Sequence, residues 1–311
     1  MCYIYLAMVK SSVELGSMPS AARTRARSTV PSTLPSTVRS ARRRDVGAAS
    51  ARSLLLTVLG EFVLPAGEPV WTLTLVEGLG LLAVEEKAIR QALARAAREG
   101  WVTPSRSGRR TSWRLTPAGR ELLSTGAQRI YGFQTPAPTW AGTWLLVLAS
   151  APAGSRQHRH LLRTRLAWSG LGSLAPGVWV SAHPGRQPEV RRVLQDLGMA
   201  EGATFFVASL GELGELRRIA SQAWDLAAVE LRYERFIRHV QDLRPGTPRE
   251  SFAAQVRIVQ EWRRFPLLDP GLPAELLPRP WRGAAAADLF RRKHAQWKPA
   301  ADTAWQALTR S

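Results

Sequence analysis

The chain has a single cysteine, Cys2, among 311 residues. That excludes an internal disulfide framework and a cysteine-built zinc finger, and it suits a reducing compartment. Acidic residues are scarce: 24 Asp and Glu stand against 43 Lys and Arg, a formal charge of +19. Such an imbalance argues against a neutral-surfaced metabolic enzyme and makes a polyanion the leading class of partner. No apolar run approaches the ~18 residues of a membrane-spanning helix, and residues 3–9 are too short for a signal core. A cytoplasmic protein without a membrane partner is therefore expected. A Gly-rich phosphate loop, G-x-S-x-G and C-x-x-C are all missing. Of five histidines only His158 and His160 lie close together, and i,i+2 spacing on a helix turns their rings to different faces. No catalytic residue, metal site or cofactor is expected.

What is present is a foldable majority, 45% apolar with 12 tryptophans. At ~100–150 residues per domain this supports two or three packed units. Residues 1–50 are the exception. They hold eight Lys and Arg, only Glu14 and Asp45, and a Ser/Thr/Pro-rich stretch over 28–40, which reads as a disordered basic tail. It is either a DNA-seeking arm or a dispensable extension ahead of a start at Met18.

Periodicity begins at residue 51. A buried helix is predicted over 53–63, ending before Pro65; a second over 71–82; and a third over 84–98, stopped by Gly100. On the third, Ile89, Leu93, Ala96 and Ala97 share a core face. Lys87, Gln91, Ala94 and Arg98 lie opposite, with Arg90 and Arg95 on the flanks. Residues 101–105 and 111–115 read as two strands joined by a basic tip, Arg106-Ser107-Gly108-Arg109-Arg110. Thr116-Pro117 then opens a fourth helix reaching Tyr131. Three helices, a hairpin and a closing helix are the order of a winged helix-turn-helix over 51–131. In that reading Arg90, Gln91 and Arg95 reach base edges of double-stranded operator DNA, while Lys87, Arg106, Arg109 and Arg110 hold phosphates. Trp71, Trp101 and Trp113 are assigned to packing.

After a Pro/Gly-rich linker at 132–138, strands are predicted at 143–149, 177–181 and 204–208, with a basic helix at 156–168 and another at 188–197. This alternation predicts a ferredoxin-like α/β sandwich over 139–211 that binds a ligand or pairs with itself. Residues 212–311 read as helical: one helix over 212–243, one over 251–264 and one from 284. The proline-rich stretch 265–273 between the last two forbids a continuous helix and must pack as an ordered loop. The fold class expected is α+β multidomain.

Several signatures recur in one order along 51–311. They are Ala88-Ile89-Arg90-Gln91-Ala92-Leu93-Ala94-Arg95 with Glu99-Gly100-Trp101, then Gly108-Arg109-Arg110, then Leu115-Thr116-Pro117-Ala118-Gly119. Later come Gly142-Thr143-Trp144, Pro176-Gly177-Val178-Trp179, Ala223-Trp224-Asp225-Leu226 and Arg264-Phe265-Pro266 with Leu268-Asp269-Pro270-Gly271-Leu272-Pro273. Together they resemble the PaaX-type transcriptional regulators of phenylacetic acid degradation; the basic tail lies outside that pattern. The resemblance implies a homodimeric repressor with a winged helix on its operator, a central domain similar in fold to a small CRISPR-associated nuclease, and a helical C-terminal domain. It also implies a small effector, phenylacetyl-coenzyme A or another aryl-acyl-coenzyme A, that releases the DNA. An acyl-coenzyme A needs cations for its phosphates and an apolar slot for its acyl group, for which Trp144, Arg163, Trp179 and Arg264 are the candidates. Two rivals stand beside this reading. A cationic protein that coats nucleic acid without sequence preference fits the charge equally. A metal-dependent nuclease needs carboxylates on the first central strand, and residues 144–150 carry none.

Overall fold

The computed structural model describes residues 50–134, 140–152, 154–211 and 215–310. The expected basic tail, apart from Ser50, lies outside these residues, as do positions 135–138 of the linker and positions 212–214. The described chain is a mixed α+β, multidomain fold of helices with two small antiparallel sheets.

The first helix, α1, is one run made of Ala51–Val58, Leu59–Val63 and Leu64–Ala66. The Ser50 hydroxyl caps it by accepting from Ser53 N–H at 3.2 Å. Its middle segment is a π-turn in which Leu64 N–H reaches back five residues to Leu59 O. The predicted stop before Pro65 is thus corrected. In the last turn the proline forfeits little, and Gly67, at φ +72°, closes the helix by donating to Val63 O at 3.0 Å.

Val70–Trp71 form a two-residue strand, β1, so the second helix, α2 (Thr72–Gly80), starts later than the expected 71 and ends before 82. Helix α3 spans Glu86–Arg98 and buries Ile89, Ala92, Leu93 and Ala96. It ends as its glycine predicts: Gly100, at φ +75°, and Trp101 return their N–H groups to Ala97 O and Ala96 O. Strands β2 (Val102–Ser107) and β3 (Arg110–Leu115) pair antiparallel, and β1 adds to the other side of β3. Helix α4 (Pro117–Tyr131) is capped by Thr116, whose hydroxyl accepts from Gly119 N–H at 3.0 Å. Gly119 lies so close to the hairpin that a Cβ there would sit 2.1 Å from Trp101 O.

The second sheet has the order β5-β6-β4-β7, built from β4 (Thr143–Leu148), β5 (Gly172–Ala175), β6 (Val178–Ser181) and β7 (Thr204–Ser209). Helix α5 (Arg156–Trp168) connects β4 to β5, and α6 (Gln187–Asp196) connects β6 to β7. Strand β5 was not foreseen, since Gly172-Ser173-Leu174-Ala175 has little β-propensity and is held by its pairing with β6. Central β4 reads Thr-Trp-Leu-Leu-Val-Leu without alternation because it is covered on both sides. Leu145 and Val147 pack under α5 and α6, while Trp144 and Leu146 face a second layer.

That second layer begins with helix α7 (Leu216–Ala223). The single helix expected over 212–243 is corrected to two. Trp224 is extended, at φ −134° and ψ 144°, and Asp225 caps α8 (Leu226–Asp242) by accepting from Ala228 N–H at 3.0 Å. Helix α9 (Pro248–Trp262) opens with a Thr247/Glu250 capping box. Its side chains are buried nearly all round, and α11 (Gly283–Arg310) lies against it. The proline-rich stretch between them packs as an ordered loop with one short helix, α10 (Phe265–Leu268). Phe265 stacks on Tyr233 at 4.2 Å between centroids, and Asp269 accepts from Tyr233 O–H at 2.6 Å and Gln134 Nε2 at 2.9 Å. Burial pushes the Asp269 carboxyl above its usual range, opposed by these hydrogen bonds.

Candidate nucleic-acid interface

The outer face of α3 carries no buried residue. Lys87, Arg90, Gln91, Arg95 and Arg98 are all exposed, whereas every residue of the inner face packs against α1 and α2. Arg90 Nε donates to Glu86 at 2.7 Å one turn earlier, which holds the guanidinium extended along the helix.

The hairpin presents the other cations. Gly108, at φ +58°, takes the turn position that left-handed backbone requires, so Arg109 projects from the tip. Arg106 and Arg110 sit just below it, paired with Thr111 and Ser107 in the ladder. The hairpin is fixed to α2 through one threonine: Thr72 Oγ1 donates to Thr111 O at 2.9 Å and accepts from Trp113 Nε1 at 2.9 Å. At the base of α3, Arg52 pairs with Glu99 at 2.7 Å and lies over the Trp101 ring at 4.9 Å.

One open groove runs between these parts. Arg90 from α3, Arg109, Arg110 and Thr111 from the hairpin, and Thr72 and Leu73 from the start of α2 line it together. Lys87, Arg90 and Gln91 line an adjoining shallow depression along α3. Five of the seven residues predicted from sequence are therefore brought to one continuous surface. Arg95 lies further along α3, and Arg106 is exposed on the hairpin outside the groove. Sequence reasoning missed Thr72 and Leu73. Their signal was a threonine after Val70-Trp71, which opens a helix, followed by a leucine that the core does not take, 52% exposed.

The four effector candidates are dispersed. Trp179 pairs with Val147 and is buried on the helix-covered face of the sheet, its Nε1 donating to Ala149 O at 3.0 Å. Trp144 is buried on the opposite face beside Val180. Arg163 is exposed on α5, and Arg264 is half-buried at the end of α9, where burial lowers its pKa. Among the described residues no group of three or more His, Cys, Asp or Glu is placed to hold a metal ion. Among the same residues no helix is long and apolar enough to cross a membrane.

The order of parts has close counterparts. Three family models match in succession: "PaaX-like protein" over residues 50–119, "PaaX protein central Cas2-like domain" over 137–220, and "PaaX-like protein C-terminal domain" over 224–307. The chain is 32% identical over 266 residues to the "Transcriptional repressor PaaX" of Escherichia coli (strain K12), covering 81% of this chain and 82% of that one. The chain belongs to the PaaX family. This PaaX-family chain also shares its fold with the uncharacterized protein Rv0674 from Mycobacterium tuberculosis. That likeness has a TM-score of 0.54 at 23% identity and covers 83% of this chain and 99% of the other.

Proposed function

We propose that this PaaX-family protein is a sequence-specific DNA-binding transcriptional repressor without catalytic activity, released from its operator by a small effector. One observation carries the reading: Arg90 of α3 and Arg109 and Arg110 of the hairpin share a groove, on a chain whose E. coli relative is named a transcriptional repressor. The order α1-α2-α3-hairpin-α4 supports a winged helix-turn-helix over 51–131, with α3 in the major groove and the hairpin on the backbone. The order β5-β6-β4-β7 with both crossover helices supports a ferredoxin-like central domain. The uncharged edge strand β7 leaves Phe206 and Val207 47% and 59% exposed, which favours a homodimer joined there. An aryl-acyl-coenzyme A such as phenylacetyl-coenzyme A is the effector class we propose; with Trp144 and Trp179 on opposite faces of the sheet, one slot does not contain both.

A gel-shift titration of the purified protein tests this, using its own upstream intergenic DNA and a scrambled duplex, with and without phenylacetyl-coenzyme A. Selective binding abolished by the thioester is expected. Selective binding that ignores the thioester would retain the repressor and remove the effector, and equal binding to both duplexes would leave a coating protein. Arg109→Ala should weaken binding to every sequence and lower the salt slope by about 1. Gln91→Ala should cost about 1–3 kcal/mol on the operator alone and relax its base preference. An equal loss on both duplexes would remove Gln91 from base reading.

A further inference from the structure

Helix α5 of the central region contains four arginines and two histidines and no acidic residue. Three of the arginines form a stripe. Arg156, Arg159 and Arg163 are all exposed at i, i+3 and i+7 on one side, with His160 beside them, while Leu162, Arg165 and Leu166 are buried beneath. None of the three takes part in an ion pair among the described residues. Such a stripe is unfavourable for the helix that carries it. Like charges one turn apart repel by roughly 0.2–0.5 kcal/mol each, and Arg156 and Arg159 stand in the first turn, where the helix dipole is already positive. Among the described residues no ion pair offsets that cost, which leaves the three guanidinium groups open to an external anion. The helix is also firmly seated: Ser155 caps it, accepting from His158 N–H at 3.3 Å, and Leu162 and Leu166 lock into the core shared with α6.

We propose that the Arg156/Arg159/Arg163 stripe is a second phosphate-binding surface, which grips the DNA backbone outside the segment read by α3 and the hairpin. This rests on the operator-binding reading above. The dimensions fit. Seven residues at 1.5 Å rise span about 10 Å, a length over which one winding strand of duplex presents roughly two to three phosphates within reach of arginine side chains. It contributes no base reading, because three guanidinium groups on one straight line match a backbone and no base-edge pattern. Its effect is affinity and length: bound DNA is longer than the winged helix alone requires.

The test compares wild-type protein with R156Q/R159Q/R163Q and with a charge-matched control, R232Q/R235Q/R238Q, from the exposed side of α8. Each is titrated over a salt series against two duplexes of the protein's own upstream DNA: the shortest one bound with full selectivity, and the same one with native flanks on both sides. Circular dichroism and a thermal melt establish that each variant folds. We expect wild type to show a steeper salt slope on the flanked duplex, the α5 variant to lose about 2–3 from that slope, and both to agree on the short duplex. The control should behave as wild type. A wild-type slope independent of flank length, or an α5 variant that matches wild type on the flanked duplex, overturns the proposal while leaving the operator reading intact. An equal loss in the control overturns it too, because net charge alone would then be responsible. If the α5 variant changes only release by phenylacetyl-coenzyme A, the stripe serves the effector's phosphates and the backbone proposal falls. Absence of selective binding by wild type overturns both readings together.

Discussion

The N-terminal helices with their hairpin, residues 51–131, and the central sheet are fastened to the C-terminal helices in different ways. The first attachment is helix on helix. Phe62 of α1 packs tilted against Phe252 of α9 at 4.9 Å and stacks on Trp305 of α11 at 5.3 Å, while those two rings stack on each other at 6.0 Å, inside a core that also takes Val256, Ala301, Ala304 and Leu308. A polar ladder runs beside it. Ser53 and Thr57 bond Gln260, and Arg263 donates to Ser53 at 2.9 Å. Glu61, raised into the seam by the π-turn, accepts from Tyr131 and Gln255 and faces His294 Nε2 at 2.9 Å. The second attachment is carried by a loop. Arg186, held within the central region by donating to Ser169 O at 2.8 Å, also donates to Pro270 O of the loop at 3.4 Å, His183 Nε2 meets Gly271 O at 2.7 Å, and Leu272, Leu276 and Leu277 lean on the sheet. The first is a hydrophobic core shared with α9 and α11. The second combines a smaller apolar cluster with single side chains that reach the carbonyls of a loop, and loop contacts of that kind open separately from a core.

The largest effect that distinguishes the two comes from the shared core. Trp305→Ala should cost about 3–5 kcal/mol in a urea titration and unfold the N-terminal region, residues 51–131, together with α11. A cost near zero would mean the two regions merely touch. Next is Arg186→Ala, which removes the donor from two carbonyls and should cost about 1–3 kcal/mol. It should accelerate hydrogen exchange in residues 265–272 and leave exchange in α1 to α3 unchanged; acceleration in both places would erase the contrast.

The smallest effect depends on pH. Burial holds the His183 imidazole below its usual value of 6.5, outweighing the bond to Gly271, and Arg186 lowers it further. The unfolded imidazole therefore gains its proton first, so stability from this site is full above about 6.5 and falls as the solution is acidified toward the lower, folded value. Asp269 has the opposite sign. Its raised carboxyl binds protons more tightly in the folded state, so its contribution falls as pH rises above the usual carboxylate value. The difference in urea midpoint between wild type and His183→Gln isolates the imidazole, and it should shrink from pH 7.5 to 5.5, a range set by the reference histidine pKa near 6.5. A constant difference would place His183 outside the attachment.

Much of the candidate interface is readable from residue order because it rests on short-range rules. The 3.6 period of α3 separates Ile89 and Leu93 from Lys87 and Gln91 without any knowledge of the fold, and Gly108 marks the hairpin tip. What was not readable depends on partners distant in sequence. β1 is two residues long and exists through Val70↔Trp113 pairing, and β5 exists through β6. The π-turn in α1 reflects what Glu61 meets on α4, α9 and α11. The break at Trp224 had a local sign, Asp225 as a helix cap, but apolar periodicity on both sides concealed it. Trp144 and Trp179 are both candidates in the sequence for the apolar slot of an acyl group, and the structure sets them on opposite faces of the sheet. Which face each one takes follows from strand register, and register comes from pairing that composition does not reveal.

The near-contact of Gly119 with Trp101 has a consequence for how this chain can vary. The obstacle is a main-chain carbonyl, and it cannot rotate aside because it also accepts from Thr116 N–H at 3.1 Å. At Gly185 and Gly202, by contrast, an added carbon meets nothing within 4 Å. In a saturation library, Gly185 and Gly202 should admit many side chains while position 119 tolerates none, not even alanine. A single methyl group there levers α4 off the hairpin, and with it the tip arginines away from α3.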